Sequence, residues 1–216
     1  MVVPLRTDVP TRRVPWVVIG LVAANLGVFA YVLGLGDDAA SAVFDRYGLV
    51  PRELLRGASP LSPLTCMFLH GSVLHLAGNL VYLWIFGARI EELLGSARFV
   101  VFYAACGLVA GAIHVASDPG SWLPTVGASG AISGLLGAYA VSYPTGRLRL
   151  LWPPVRVPAF AFLGLWIGVQ VASGLGSSGQ GAGGTAWWAH VGGFAAGAAL
   201  ARSMWLRPPT RARLRI

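Results

Sequence analysis

Six long apolar runs constrain the fold of this chain more than any other feature. A membrane-spanning helix needs about 20 predominantly apolar residues, and these runs are long and continuous, without the ten-residue alternation of a membrane barrel. The connecting segments carry the Pro, Gly, Ser and charged residues typical of turns. We therefore predict an all-α membrane protein with six transmembrane helices: Val14–Leu35, Leu69–Gly87, Phe99–Ala116, Val126–Tyr143, Val157–Ser173 and Ala186–Met204.

Composition favours a chain dissolved in lipid over a soluble domain. Of the 216 residues, 56% are hydrophobic and only 11% are charged, whereas about 25% are charged in ordinary soluble domains. The predicted organisation is a cytoplasmic segment (1–13), a membrane domain (14–204) and a basic cytoplasmic tail (205–216). The first run could instead be a signal peptide, but its apolar core is longer than the roughly 7–15 residues of a signal.

Arginine placement predicts the orientation of the bundle. All 16 basic residues are Arg, and 13 of the 16 fall on one side when the N-terminus is placed in the cytoplasm. Because cytoplasmic loops are enriched in basic residues, both termini are expected inside. The first outer loop, 36–68, is then too long for a simple turn and should have structure of its own.

Partners and location follow from the same composition. The lipid bilayer is the main partner, and the basic tail should be attracted to anionic lipid. The sequence has no stripe of basic residues interleaved with aromatic ones, so nucleic acid is not an expected partner. Arg-only, Gly- and Ala-rich usage is typical of GC-rich bacterial genomes, which favours the bacterial inner membrane. Cys66 and Cys106 are far apart and lack metal-ligand spacing, so we expect free, packed thiols and neither a disulfide nor a metal site. No cofactor is predicted. The stretch 174–184, GLGSSGQGAGG, should be a flexible outer loop.

Polar residues inside the spans are candidates for function, because they are costly in lipid. Counting residues along the second, fourth and sixth spans places four of them in the outer half of the membrane at similar levels, which makes one shared site possible. Those four are His75, Asn79, Ser129 and His190. The full set is Asn25, His70, His75, Asn79, His114, Ser129, Ser133, Ser142, Gln170 and His190.

Those residue types suit acyl transfer. A serine hydroxyl becomes a nucleophile when a neighbouring histidine takes its proton. The oxyanion formed on attack needs fixed donors, and His75 and Asn79, four residues apart, share one helix face. The backbone N–H of Ser129, near a helix N-terminus, is a third donor. Because no acidic residue lies in the outer half of a span, a Ser129–His190 dyad is the available form.

Glycines could bring the fourth and sixth spans together. Gly130 and Gly134, like Gly193 and Gly197, are pairs of small residues that permit close helix packing. The residues alone leave other interpretations open. Each polar group could be purely structural, and together they could line the pathway of an ion or solute.

Three motifs resemble the rhomboid family of intramembrane serine proteases. GASG at 127–130 is similar to the family's GxSG, and AHVGGFAAG at 189–197 is similar to AHxxGxxxG. HGSVLHLAGN at 70–79 has the family's His–His–Asn spacing. YGLVP at 47–51, LTCMFLHGS at 64–72 and the Glu91–Glu92 pair followed by Gly95 also fit, so the resemblance covers about residues 47–197.

The resemblance implies a fold and a mechanism. The expected fold is a six-helix rhomboid bundle around a water-filled cavity that is closed by a cap loop and gated near the fifth helix. Its substrates would be single-span transmembrane proteins cut near the outer face. Ser129 would be the nucleophile and His190 the base. Oxyanion donors would be His75, Asn79 and the Ser129 backbone, with supporting roles for His70, Gly127, Gly130 and Gly193.

Two departures from the family pattern affect the details. The Trp-Arg pair often found in the first loop is missing, with Ser62-Pro63 near its expected place. Some members have an aromatic residue four positions after the nucleophile, stacked on the base, where this chain has Ser133. His114 is a candidate to hold His190 instead. A protease-dead relative that binds transmembrane segments is an alternative function.

Overall fold

The structure, a computed structural model, describes residues 4–176 and 186–203. Most of the predicted flexible loop 174–184 and all of the predicted tail 205–216 lie outside this part. The chain is mostly helical, with a 3₁₀ turn at Cys66–Phe68 and a π-helical turn at Leu83–Gly87. The α-helices are α1 Trp16–Leu33, α2 Asp37–Tyr47, α3 Pro51–Leu55, α4 Ser62–Thr65, α5 Val73–Tyr82, α6 Ala88–Leu94, α7 Ser96–Ser117, α8 Ser129–Ser142, α9 Ala159–Gly176 and α10 Trp187–Arg202.

Four helical segments of the described chain are long and apolar enough to cross a membrane: Trp16–Leu33, Val73–Leu94, Ser96–Ser117 and Ala159–Gly176. They correspond to the predicted first, second, third and fifth spans. The predicted fourth and sixth spans are the shorter helices α8, with 14 residues, and α10, with 16. That these two also cross the bilayer stays a prediction.

The second span differs from its predicted bounds of Leu69–Gly87 at both ends. Its helix begins only at Val73, because the hydroxyl of Ser72 accepts a hydrogen bond from the backbone N–H of His75 and caps the first turn. It then continues through the π-helical turn into α6. It ends at Leu94, before Gly95, whose φ of +79° favours glycine.

A small antiparallel sheet corrects the all-α prediction. β1 (Pro4–Thr7) pairs with β2 (Arg147–Leu150), which pairs with β3 (Arg156–Pro158). The alternation RLRL in β2 buries Leu148 and Leu150 while Arg147 stays exposed, which is the period-2 pattern of a half-buried strand. The sheet joins the N-terminal segment to the connection between α8 and α9.

Helix α8 lies at the centre of the bundle. Every residue from Ala131 to Tyr139 is buried, and α8 packs most extensively against α10 and also against α7. Glycines permit this contact, since a Cβ on Gly193 or Gly197 would collide with the backbone carbonyl of Gly130 or Gly134. Side chains at the start of α8 are therefore held among other helices.

The segment between α1 and α5 is tied to the connection that precedes α8. Leu49 and Thr125 exchange backbone hydrogen bonds, each 2.9 Å long. The guanidinium of Arg52 lies 4.2 Å from the ring centroid of Trp122, and that of Arg56 lies 5.1 Å from it. An arginine–tryptophan contact thus joins the two connections, although the tryptophan comes from a different loop than the family pattern led us to seek.

Candidate active site

Ser129 and His190 meet at the ends of two packed helices. Ser129 Oγ lies 2.9 Å from His190 Nε2, a hydrogen-bonding distance. Ser129 is the first residue of α8, and His190 is in the first turn of α10. His190 is only 9% exposed. The geometry is that of a hydroxyl within reach of a base, as nucleophilic catalysis requires.

Gly127 shapes the backbone just before Ser129. Its φ is +118°, a conformation that residues with a Cβ rarely adopt, and its N–H donates to the carbonyl of Cys66 at 2.9 Å. A Cβ at this position would lie 2.7 Å from Nε2 of His75 and 3.6 Å from Nδ2 of Asn79. The glycine thus lets both side chains approach the chain two residues before the hydroxyl.

His75 and Asn79 lie on one face of α5, as their spacing predicts. Asn79 Nδ2 donates to the carbonyl of His75 at 3.2 Å. Because α5 starts at Val73 and not at the predicted Leu69, His75 belongs to the first turn of the helix and lies closer to its start than the predicted span implies. The N-terminal turns of α5, α8 and α10 therefore all contribute to the site, and helix N-termini favour negative charge.

His70 lies beside His75. It precedes α5 and is 3% exposed. Its ring meets that of His75 edge-on, with centroids 5.1 Å apart. Neither ring nitrogen of His70 has a hydrogen-bond partner within the described part of the chain. In this position His70 can orient the ring of His75. None of the contacts in the described part of the chain joins His70 to Ser129.

The other two predicted supporting residues, Gly130 and Gly193, lie where α8 and α10 pack closely against each other. A Cβ on Gly130 would also lie 2.7 Å from the Cβ of Ala110 in α7. Three helices therefore converge around the residue that follows Ser129. Side chains here would force the helices apart and lengthen the distance between the hydroxyl and the imidazole.

Gln170 is the site residue to which sequence reasoning assigned no role. Its Oε1 lies 2.7 Å from His190 Nδ1, and its side chain is 6% exposed. The sequence marked it as one of few polar residues in the spans. In the predicted spans, Gln170 lies three residues before the end of the fifth at Ser173, and His190 lies four residues after the start of the sixth at Ala186. That comparison of depth could have found it.

His190 is held neither by His114 nor by a residue at position 133, the two positions that the sequence analysis considered. His114 is paired elsewhere, with Nε2 2.6 Å from Thr125 Oγ1. Ser133, in place of the stacked aromatic residue, donates to the carbonyl of Ser129 at 2.6 Å. Aromatic rings come instead from Trp166 and Trp187, whose centroids lie 5.9 and 6.4 Å from that of His190.

The fold and the site together define a class: an integral membrane protein with a hydrogen-bonded serine–histidine pair among its helices. A family model described as the rhomboid domain matches residues 58–207. This match covers more than half of the chain, which therefore belongs to the rhomboid family.

Curated relatives come from several kingdoms. The chain is 30% identical over 148 residues to the presenilin-associated rhomboid-like protein, mitochondrial, of Mus musculus, covering 64% of this chain and 36% of that protein. It is 36% identical over 138 residues to rhomboid protease GluP of Bacillus subtilis, covering 63% and 25%. It is 29% identical over 161 residues to RHOMBOID-like protein 5 of Arabidopsis thaliana, covering 62% and 52%. This chain thus spans between a quarter and about half of the length of these relatives.

Proposed function

We propose that this chain is an intramembrane serine endopeptidase that cuts single-span membrane proteins near the outer membrane face. The observation that carries the proposal is the 2.9 Å contact between Ser129 Oγ and His190 Nε2. Family membership supports the same reaction, because GluP is named a rhomboid protease. A bacterial inner membrane remains our proposed location, although the relatives include a mitochondrial protein.

Proton transfer starts the proposed reaction. His190 Nε2 accepts the proton of the Ser129 hydroxyl as Oγ attacks the scissile carbonyl carbon. A tetrahedral intermediate forms, and its oxygen carries the negative charge. Imidazolium then donates the proton to the leaving amine, and the C–N bond breaks. Water, activated by the same imidazole, hydrolyses the acyl-enzyme and restores the free serine.

Donors for the oxyanion are available on the side of Ser129 that faces α5. The Ser129 backbone N–H belongs to the first turn of α8, where N–H groups lack intrahelical acceptors. His75 and Asn79 lie against Gly127 and carry side-chain N–H donors. Three donors from two elements would surround the developing charge, and such preorganised donors contribute much of the rate in acyl transfer.

A serine-reactive probe tests the proposal directly. Purified chain in detergent is incubated with a fluorophosphonate probe and with a model single-span substrate. We expect covalent labelling and cleavage, both lost in Ser129→Ala. Ser133→Ala is the matched control, because Ser133 lies one turn further along the same helix and bonds a backbone carbonyl; it should keep both activities.

The alternative functions give different results in this experiment. A protease-dead relative would bind the substrate helix without labelling or cleavage. A transporter would show flux across vesicles that depends on His75 and His190, and no reaction at Ser129. Cleavage that persists in purified Ser129→Ala protein would overturn the assignment of the nucleophile.

A further inference from the structure

The side of His190 that faces away from Ser129 is occupied by Gln170. We propose that Gln170 is a positioning residue, whose side-chain amide holds His190 in the tautomer that can accept the Ser129 proton. This role rests on the proposed function and deepens it. Three consecutive hydrogen bonds connect the Trp166 carbonyl to Gln170, Gln170 to His190, and His190 to Ser129.

The amide orientation of Gln170 follows from its other partner. Gln170 Nε2 lies 3.3 Å from the backbone carbonyl oxygen of Trp166. A carbonyl oxygen can only accept a hydrogen bond, so the NH₂ end of the amide must face Trp166. The carbonyl end, Oε1, is then the atom that lies 2.7 Å from His190 Nδ1.

The tautomer of His190 follows in turn. Because Oε1 can only accept, Nδ1 of the neutral imidazole must carry the proton and donate it. The other nitrogen, Nε2, is left with a lone pair directed at Ser129 Oγ, 2.9 Å away. This is the tautomer that a general base needs, and the opposite one would present an N–H to the hydroxyl.

Burial strengthens this constraint. Gln170 and His190 are 6% and 9% exposed, and a polar group buried to this extent is destabilising when it lacks a hydrogen-bond partner. Within the described residues, no carboxylate is hydrogen-bonded to His190. His75 of α5 and His114 of α7 are the titratable groups on other helices that act electrostatically on His190. A neutral amide therefore has the place that a carboxylate has in a serine–histidine–aspartate triad.

Three variants of Gln170 separate positioning from packing. Gln170→Met removes the acceptor at similar length, Gln170→Asn withdraws the amide by one carbon, and Gln170→Glu keeps an acceptor at the same reach. Val169→Met is the matched control, because Val169 precedes Gln170 on α9 and is exposed. Turnover and KM for the single-span substrate, and the rate of fluorophosphonate labelling, are measured for each.

We expect Gln170→Met to lower kcat and the labelling rate by about 10–100-fold, by analogy with the loss found when partners that orient metal-ligating histidines are removed, with KM unchanged. Gln170→Asn should behave similarly, so it carries the test if the methionine variant does not fold. Gln170→Glu should recover activity at high pH. Its negative charge would stabilise the protonated imidazole, so the acid limb of its pH–rate profile should move to higher pH.

Two results would overturn the positioning role. One is a folded Gln170→Met or Gln170→Asn protein with unchanged kcat and labelling. The other is an equal loss in Val169→Met, or in Gln170→Glu at every pH, which would indicate helix packing alone. Failure of the proposed function is distinct, because wild-type protein would then neither label nor cleave, and both proposals would fall together.

Discussion

Two clusters of polar side chains within the described residues differ in the kind of hydrogen-bond partner that holds them. In the dyad cluster, Ser129, His190 and Gln170 come from three helices and bond to one another through side chains. In the Glu91 cluster, the carboxylate of Glu91 accepts from the backbone N–H groups of Val17 and Val18 at 3.0 and 2.9 Å.

The Glu91 cluster is a structural device. Glu91 is 3% exposed and also accepts from the hydroxyl of Ser96 at 2.7 Å. One carboxylate on α6 therefore caps the start of α1, where orphan N–H groups need acceptors, and fixes the start of α7. The comparison teaches that burial of a polar group does not by itself indicate chemistry. Two of the donors to Glu91 are backbone N–H groups, which hold the carboxylate in place, whereas the contact between the Ser129 hydroxyl and the His190 imidazole can pass a proton.

The largest effect expected from the comparison is on the base. His190→Ala should lower turnover by more than about 10⁴-fold, because loss of a catalytic serine or histidine alone removes most of the rate in serine proteases. Substrate cleavage by purified protein measures it. His114→Ala is the control, since His114 is bonded to Thr125, and it should retain most activity. Comparable losses in both variants would contradict the distinction between them.

A smaller loss is expected at the oxyanion donors. Asn79→Ala should reduce turnover by about 10²–10³-fold, the usual effect of removing one such donor. Asn25→Ala is a matched control: like Asn79, Asn25 is buried and its Nδ2 donates to the carbonyl four residues earlier. If single-turnover cleavage falls equally in both, Asn79 has only a structural role.

Stability should fall instead when the Glu91 cluster is changed. Glu91→Gln replaces a charged hydrogen-bond acceptor, and hydrogen bonds to charged groups contribute about 1.5–3 kcal/mol to stability. The midpoint of thermal unfolding in detergent should therefore drop. The folded enzyme should keep its turnover. Glu92→Gln is the neighbouring control, because the hydrogen bonds that Glu92 accepts among the described residues come from the N–H of Arg12 in an exposed position. If the thermal midpoint of Glu91→Gln equals that of the wild-type protein, the Glu91 cluster does not stabilise the fold, and its proposed difference from the dyad cluster is wrong.

Helix packing beneath the dyad should respond to a single methyl group. In Gly193→Ala, the new Cβ would collide with the carbonyl of Gly130, and overpacking typically costs about 1–3 kcal/mol. Unfolding in detergent measures the loss. Gly164→Ala on α9, where a Cβ would meet nothing within 4 Å, should be neutral or slightly stabilising. Equal stability of the two variants would show that α8 and α10 can separate without cost.

Sequence reasoning succeeded where local pattern carries the information. Apolar runs located the helical segments, and the motifs around Ser129 and His190 selected two residues that the fold brings together. It marked Gln170 as a polar residue but missed its contact with His190, because a bond between α9 and α10 depends on helix rotation, which hydropathy does not encode. It missed the pairing of β1 with β2 for a related reason: the partners lie about 140 residues apart, and only the alternation RLRL hinted at a strand.

By itself, the amino-acid sequence determined that this is a helical membrane protein of the rhomboid family. Long apolar segments must satisfy their backbone hydrogen bonds internally in lipid, and that requirement needs no knowledge of neighbours. Tertiary structure alone decided which nitrogen of His190 faces Ser129 and which side chain holds the other. Those choices depend on angstrom-scale contacts between helices that glycines allow to touch.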